Sequence, residues 1–142
     1  TRIERLALDE EAGEPRFLYP DGTMRVAAWQ LFGSLFFGAV NKLEELLDPR
    51  AGHPEIVMLD MTRLVQLDTT GLEGLENLLD KLRKRGCTLI VCGLNAQPAS
   101  LLERSGFTEH LGRDNVCPDL SRALQRAYLL LPDLMGGAND EI

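Results

Sequence analysis

Hydrophobic positions along the chain follow two different periods. Apolar or β-favouring runs, typical of buried strands, occupy residues 23–33 (TMRVAAWQLFG), 55–61 (EIVMLDM) and 87–93 (CTLIVCG). Between and after these runs, apolar residues recur every three or four positions, which is the period of one helix face. We therefore predict an α/β fold with a mixed sheet of about five strands and three to four helices packed mainly on one face. The runs at 55–60 and 88–93 are expected to be adjacent interior strands.

Four segments carry the helical period. Their inward positions are Val40, Leu43, Leu46 and Leu47 in the first, Leu72, Leu75, Leu78, Leu79 and Leu82 in the second, and Leu120, Leu124, Ala127 and Tyr128 in the last. The third segment, within residues 95–107, has Pro98 near its start and Gly106 as its expected C-terminal cap. Helices are expected to begin near Thr70, Pro98 and Asp119.

Both ends of the chain lack this regular pattern. Residues 1–15 cluster their acidic side chains and are expected to form a linker or an edge strand. From Pro132 onward the segment PDLMGGANDEI has no periodicity, so residues 132–142 are expected to form a flexible tail. The folded domain is therefore expected to span residues 16–131.

Length, composition and charge narrow the class of protein. A chain of 142 residues with 44% hydrophobic and 26% charged residues is typical of one globular domain. A formal net charge of −7 argues against nucleic-acid binding, which usually needs a basic patch. No apolar stretch approaches the roughly 20 residues that span a bilayer, so no direct membrane insertion of this segment is expected. The chain begins at Thr1 and not at methionine, which suggests a piece of a longer protein.

The residues that could support catalysis or metal binding are scattered. Cys87, Cys92 and Cys117 lack zinc-type spacing and are expected to be structural thiols in a reducing compartment. His53 and His110 have no second candidate ligand near them in the sequence. No nucleophile–base pair and no glycine-rich phosphate loop is present. We therefore expect no metal site and no enzymatic activity.

One segment, LDTTGLEGLENLL at residues 67–79, has two interpretations. As a helix start, Thr70 would be the N-cap of a capping box with Glu73, and Asp68 would add a favourable negative charge. As a functional site, the same hydroxyl would be exposed at the carboxyl end of a strand, where open sheets present their sites. A phosphate on Thr70 would then add negative charge beside Asp68. In the helix-start interpretation, Gly71 would let another surface approach the first turn.

Three segments together resemble one known family. They are EIVMLDM, then VQLDTTGLEGLENLLDKLRKRGCTLIVCGL, then PASLLERSGFTEHLG, and their order is similar to that of the STAS domain over roughly residues 16–130. The family includes anti-sigma factor antagonists and the cytoplasmic domains of SulP-type anion transporters. In the antagonists, the second hydroxyl residue of a D-S-S-G-like motif is phosphorylated. This resemblance implies the STAS fold, a switch residue at Thr70, and a partner-binding surface made by Asp68, Thr69, Thr70, Gly71 and Leu72.

The stretch RVAAWQLFGSLFFGAVNKLEELL resembles the transporter branch of that family, through Gly33, Leu35, Phe36, Phe37, Gly38 and Ala39. The resemblance implies a non-catalytic regulatory or protein-binding domain of a SulP-type anion transporter, on the cytoplasmic side of the cell membrane. Its expected partners are the transmembrane part of the same transporter and a cytoplasmic regulatory protein. The alternative is a free-standing antagonist phosphorylated at Thr70 by a partner kinase.

Two details of this resemblance concern the surface of the domain. Phe36 and Phe37 are consecutive, so at least one is expected to pack inward, while the other could contact the transporter body or another protein. STAS domains have been associated with nucleotide binding, but no residues here would specify a base. No cofactor is therefore expected.

Overall fold

The computed structural model describes residues 2–8, 17–47 and 53–135. Its strands are β1 (Arg2–Leu6), β2 (Val26–Leu35), β3 (Ile56–Leu67), β4 (Thr88–Cys92) and β5 (Val116–Cys117). Its helices are α1 (Phe37–Leu46), α2 (Thr69–Lys84), α3 (Ala96–Arg104), α4 (Phe107–Leu111) and α5 (Leu120–Leu130). Short 3-10 helices occupy Arg113–Asn115 and Pro132–Met135. No helix within these described ranges is long and apolar enough to cross a bilayer.

The five strands form one mixed sheet in the order β1-β2-β3-β4-β5. β1 runs antiparallel to β2, whereas the pairs β2–β3, β3–β4 and β4–β5 are parallel. Strands β3 and β4 are adjacent and interior, which confirms the prediction made from their apolar runs. Helical crossovers of the kind that parallel pairs require connect β2 to β3 and β3 to β4.

The central strands differ in length, and this difference shapes one edge of the sheet. β4 ends at Cys92, opposite Asp60 of β3. β2 and β3 continue together as a two-stranded ribbon as far as the pair Leu35 and Leu67. β2 was expected to stop near Gly33, but it passes through this residue, which has φ +83 and lies at a register shift. A glycine can adopt this left-handed conformation without strain, so the strand bends there and does not end.

Helices cover the two faces of the sheet unequally. Helices α1, α2, α3 and α4 pack on one face, where Val40, Leu75, Leu102 and Phe107 join the larger apolar cluster. Helix α5 packs on the other face through Ala123 and Ala127, against strand residues that include Ile90 and Cys92. The predicted α/β class, with helices mainly on one face, is confirmed. Leu46 was expected to face inward but is 45% exposed, because the buried stripe of α1 runs through Ala39, Val40 and Leu43.

Both ends of the described chain pack against this core. Residues 2–6 form the edge strand β1, whereas residues 9–16 lie outside the described residues. At the other end, Pro132–Met135 form a 3-10 helix in which Leu134 is buried. Asp133 accepts hydrogen bonds from Arg25 at 2.6 and 2.9 Å. The packed chain thus reaches past the expected boundary at residue 131, and the remainder of the expected tail, residues 136–142, is not described.

Candidate functional site

Helix α2 begins directly after the ribbon, and Asp68 is its N-cap. The backbone of Asp68 is extended, with φ −95 and ψ 175, and its Oδ1 accepts a hydrogen bond from the backbone N–H of Gly71 at 2.7 Å. A carboxylate in this position satisfies one of the N–H groups that the first helical turn leaves without an intrahelical acceptor. Its negative charge is also favoured by the positive end of the helix dipole.

The expected capping box with Thr70 as N-cap is therefore wrong. Thr70 is the second residue of α2 and already has a place in the helix, so its hydroxyl cannot occupy the capping position. Thr70 Oγ1 instead donates a hydrogen bond to Asp68 Oδ1 at 2.7 Å. The carboxylate of Asp68, one residue before the helix, accepts from the Gly71 amide and takes the role assigned to Thr70.

The Thr70 hydroxyl also contacts the start of a second helix. The backbone N–H of Phe37 donates to Thr70 Oγ1 at 3.3 Å. Helix α1 begins at this residue, and its N-cap, Phe36, makes no side-chain capping bond. A hydroxyl can donate one hydrogen bond and accept others, so Thr70 satisfies both neighbours at once. Two helix starts, far apart in sequence, are therefore joined at a single side chain.

These hydrogen bonds lower the pKa of Asp68. The largest cause is the bond from the Gly71 backbone N–H, followed by the bond from the Thr70 hydroxyl. Both favour the ionised carboxylate over the neutral acid. Asp68 and Thr70 are exposed, so the site presents a stable negative charge beside an accessible hydroxyl.

Gly71 lies beneath this exposed surface. It is buried, and a Cβ at this position would stand 2.4 Å from the carbonyl oxygen of Leu35 and 2.9 Å from Leu67 Cδ1. We expected the glycine to admit another surface, and the surface it admits is the end of β2 in the same chain. Gly74, one turn later, likewise sits against Val40 of α1. Of the five residues predicted to form a binding surface, Gly71 is buried beneath it and Leu72 is half-buried.

Phe36 and Phe37 are both exposed, at 46% and 39%. The expectation that at least one packs inward is wrong. Phe36 is the extended N-cap of α1 and Phe37 its first residue, whereas the inward-facing stripe of α1 begins at Ala39. Through the Thr70–Phe37 hydrogen bond, the structure brings together two candidate sites that the sequence analysis treated separately.

Two residues next to this site were not singled out by sequence reasoning. Asn95 Nδ2 donates to the carbonyl oxygens of Thr62 at 3.0 Å and Leu64 at 2.8 Å. Gln97 Oε1 accepts from the Leu67 N–H, and its Nε2 donates to the Leu67 carbonyl, each at 2.8 Å. Polar residues are common at strand-to-helix turns, so the sequence alone does not mark Asn95 and Gln97 as important. Only their contacts with β3 do.

The cysteines lie away from this surface and are poorly suited to nucleophilic chemistry. Cys87, Cys92 and Cys117 are buried free thiols. Burial is the main cause that raises the pKa of Cys87 and of Cys92 to about 12. A thiol with a raised pKa has little of the reactive thiolate at neutral pH. Within the described ranges, no three His, Cys, Asp or Glu side chains cluster as a metal site would need.

Comparison with known proteins identifies relatives of the whole domain. The family model for the STAS domain matches residues 21–123. A sodium-independent sulfate anion transporter of Bos taurus is 35% identical over 97 residues, which are 66% of this chain and 16% of the transporter. A crystal structure of a sulfate transporter family protein from Wolinella succinogenes superposes with a TM-score of 0.70 at 32% identity, covering 75% of this chain and 88% of that one. The STAS domain of a SulP transporter from Vibrio cholerae gives a TM-score of 0.70 at 25% identity, covering 87% and 92%.

A more distant structure shares only the fold. The anti-sigma factor antagonist SpoIIAA, in its unphosphorylated form, superposes with a TM-score of 0.59 at 17% identity, over 72% of this chain and 88% of its own. The present chain spans about a sixth of the length of the curated transporters that it matches. Since the family model covers residues 21–123, which include the sheet from β2 onward and the Asp68–Leu72 turn, the chain belongs to the STAS domain family.

Proposed function

We propose that this chain is the non-catalytic regulatory and protein-binding domain of a SulP-type anion transporter, on the cytoplasmic side of the cell membrane. Its binding site is the Thr70 surface, which we define as Asp68, Thr69, Thr70, Leu72, Phe36 and Phe37. The partners are the transmembrane part of the same transporter and a cytoplasmic regulatory protein. Thr70 is the switch residue of this surface.

One observation carries the proposal: the Thr70 hydroxyl is bonded to the backbone of an exposed aromatic pair. Exposed large apolar side chains that lie together suggest an interaction site. Aromatic residues are enriched in protein interfaces because they provide large contact areas at low entropic cost. The ionised Asp68 and the hydroxyls of Thr69 and Thr70 are exposed at the helix start that is bonded to Phe37, and they would form the polar rim.

The sheet topology supports a transporter partner at this surface. β1 is antiparallel to β2, and Arg2 pairs with Phe32. The first residues of β1 therefore lie near the carboxyl end of β2. Phe36 follows that end of β2 directly. In a longer protein, chain preceding residue 1 would therefore enter the domain beside the Thr70 surface.

A negative group added at Thr70 would act on both halves of this surface. A phosphate ester keeps no hydroxyl proton, so the donated bond to Asp68 Oδ1 would be lost. About two further negative charges would stand beside an ionised carboxylate, which repels them. The same oxygen also holds the Phe37 N–H, so the aromatic pair would respond to the modification. Phosphorylation would therefore weaken a partner complex that forms with the bare hydroxyl.

The test uses the full-length protein, reconstituted in vesicles, with uptake of labelled sulfate as the probe. Thr70→Asp and the double variant Phe36→Ser/Phe37→Ser are expected to change the uptake rate severalfold, whereas Thr70→Ser keeps the hydroxyl and the wild-type rate. Ser121→Asp is the matched control, because Ser121 is exposed at the same helical position of α5 on the other face of the sheet. Unchanged uptake in Thr70→Asp and the phenylalanine double variant would refute a regulatory role for the surface.

The complete reading frame distinguishes the transporter from the antagonist. Several apolar spans of roughly 20 residues in the same frame would support the transporter. An initiator methionine close to residue 1, together with phosphorylation of Thr70 by a partner kinase, would support the antagonist instead. In that case the Thr70 surface would bind the kinase and not a membrane domain.

A further inference from the structure

β3 is longer than β4, so within the ribbon of β2 and β3 one edge of β3 is not paired with β4. β4 ends at Cys92, opposite Asp60, while β3 continues to Leu67. Backbone groups on such an edge need other partners, since an open edge can pair with another chain.

Side chains occupy this edge in place of a strand. Asp60 Oδ1 accepts from the Thr62 N–H at 3.0 Å, and Asn95 Nδ2 donates to the carbonyls of Thr62 and Leu64. At the end of β3, the amide of Gln97 makes both an accepting and a donating bond to Leu67, each at 2.8 Å. The primary amide of Gln97 thus reproduces the pair of hydrogen bonds that one residue of an antiparallel neighbouring strand would make.

We propose that Gln97, assisted by Asn95, is the positioning residue of the Thr70 surface. Leu67 directly precedes the N-cap Asp68, so the two bonds from Gln97 set the point from which α2 begins. This inference rests on the proposed function only because that function gives the Thr70 surface a binding partner. The geometric role itself concerns the backbone of residues 67–71.

The contacts beyond Leu67 leave little freedom for that backbone. Asp68 N donates to the Leu35 carbonyl at 3.4 Å, and Gly71 sits so close to the same carbonyl that a Cβ would be 2.4 Å from it. A displacement of Leu67 therefore moves Asp68 relative to Leu35, and with it the bond from Thr70 to Phe37. Gln97 acts on the aromatic pair through this sequence of contacts without touching it.

The test compares amide hydrogen exchange in the wild-type chain, Gln97→Ala and Gln97→Glu at neutral pH. Gln97→Ala removes both bonds to Leu67, so the amides of Leu67 and Gly71 are expected to exchange about fivefold faster. Gln97→Glu keeps an acceptor for the Leu67 N–H but places a carboxylate against the Leu67 carbonyl, which repels it, so the Gly71 amide is expected to exchange faster in this variant as well. The amides of Val57 and Met58, in the part of β3 that pairs with both β2 and β4, are expected to keep their protection. Gln125→Ala, which removes an exposed glutamine of α5 on the other face of the sheet, is the matched control and should match the wild type.

Acid provides a rescue that tests the two hydrogen bonds of residue 97 directly. A protonated glutamic acid has one donor and one acceptor, like the glutamine amide that it replaces. As pH falls through the range near 4.3, at which glutamate usually titrates, the NMR shifts of Leu67 and Gly71 in Gln97→Glu should return to wild-type values at the same pH. Gln97→Ala should not recover.

Three other outcomes overturn the proposal. Unchanged exchange at Leu67 and Gly71 would show that Gln97 does not position the site. A uniform increase that includes Val57 would reduce its role to global stability. Self-association of Gln97→Ala with unchanged local exchange would mean that the amide only protects the edge. If the local changes occur but sulfate uptake by the full-length variant is normal, the positioning role stands and the proposed function of the surface fails.

Discussion

Two helices of this domain, α2 and α5, start with the same local arrangement and meet different surroundings. Each has an aspartate N-cap whose carboxylate accepts from the third helical residue, at 2.7 Å for Asp68 and 2.8 Å for Asp119. Each also has a hydroxyl at its second position, Thr70 in α2 and Ser121 in α5. The local physics of the two helix starts is therefore the same.

Their surroundings separate them. In α2 the third position is Gly71, buried against the end of β2, and the hydroxyl of the second position meets the first residue of α1. In α5 the third position is the exposed Arg122, and the helix packs on the opposite face of the sheet. A capped helix start becomes a candidate binding surface only where a second helix start and an exposed aromatic pair converge on it.

The largest effect should come from the third helical position. Gly71→Ala places a Cβ against the backbone carbonyl of Leu35, which cannot move away like a side chain, and is expected to destabilise the domain by about 2 kcal/mol. This loss outweighs the roughly 1 kcal/mol that alanine gains over glycine in an open helix. Arg122→Ala, the equivalent change in α5, should stay within about 0.5 kcal/mol of wild type. Urea unfolding measures both, and equal effects would mean that α2 and α5 begin in similar environments.

The two N-caps should differ by a smaller amount. Asp119→Ala removes one capping bond and is expected to lower Tm by about 3 °C. Asp68→Ala also removes the acceptor of the Thr70 hydroxyl, so its decrease in Tm should be larger. Asp68→Asn and Asp119→Asn retain a capping oxygen and should melt close to wild type at neutral pH. Thermal melts followed by circular dichroism provide the measurement, and a larger loss in Asp119→Ala would contradict the assigned contacts.

Acid should weaken the α2 cap in a defined direction. The folded-state pKa of Asp68 is lowered, so its ionised form contributes stability that is fully present above the unfolded pKa of about 3.9. That contribution is lost as pH falls through the lower, folded pKa. The Tm of wild type relative to Asp68→Asn, which does not titrate at this position, should therefore decrease between about pH 5 and pH 3. A relative Tm that rises over this range would show that the pKa is raised.

The smallest effect should come from the hydroxyls. Thr70→Val keeps the shape of the side chain but removes its bonds to Asp68 and Phe37, at an expected cost of about 0.5–1 kcal/mol. Ser121→Ala should be close to neutral, because Ser121 is exposed in α5. The amide NMR shift of Phe37 should change in Thr70→Val and remain unchanged in Thr70→Ser. An unchanged Phe37 shift in Thr70→Val would show that the two helix starts are independent.

Much of the fold could be predicted because burial imposes a period on the sequence. The apolar runs at 55–60 and 88–93 predicted adjacent interior strands, and the leucine stripe from Leu72 to Leu82 predicted the longest helix. The extension of β2 and β3 into a ribbon escaped prediction, since the buried residues of β3 there, Met61, Leu64 and Leu67, are separated by two exposed residues and not by one as in a regular strand pattern. Gly33 was interpreted as a strand end because a glycine that breaks a strand and one that bends it look alike in sequence.

The sequence predicted which segment forms the candidate site but not how its side chains are arranged. The order of polar and apolar residues is enough to place a helix start after β3 and a hydroxyl within it, because both depend on neighbours in the chain. Thr70 was predicted to be the N-cap, whereas Asp68 holds that position because the backbone becomes helical at Thr69. The hydrogen bond from Phe37 and the two bonds from Gln97 join residues about 30 positions apart in the sequence. The outward position of both phenylalanines also escaped prediction. The local sequence pattern carries no information about contacts between residues so far apart. These features were decided only by the packing of α1, α2 and α3 on one sheet.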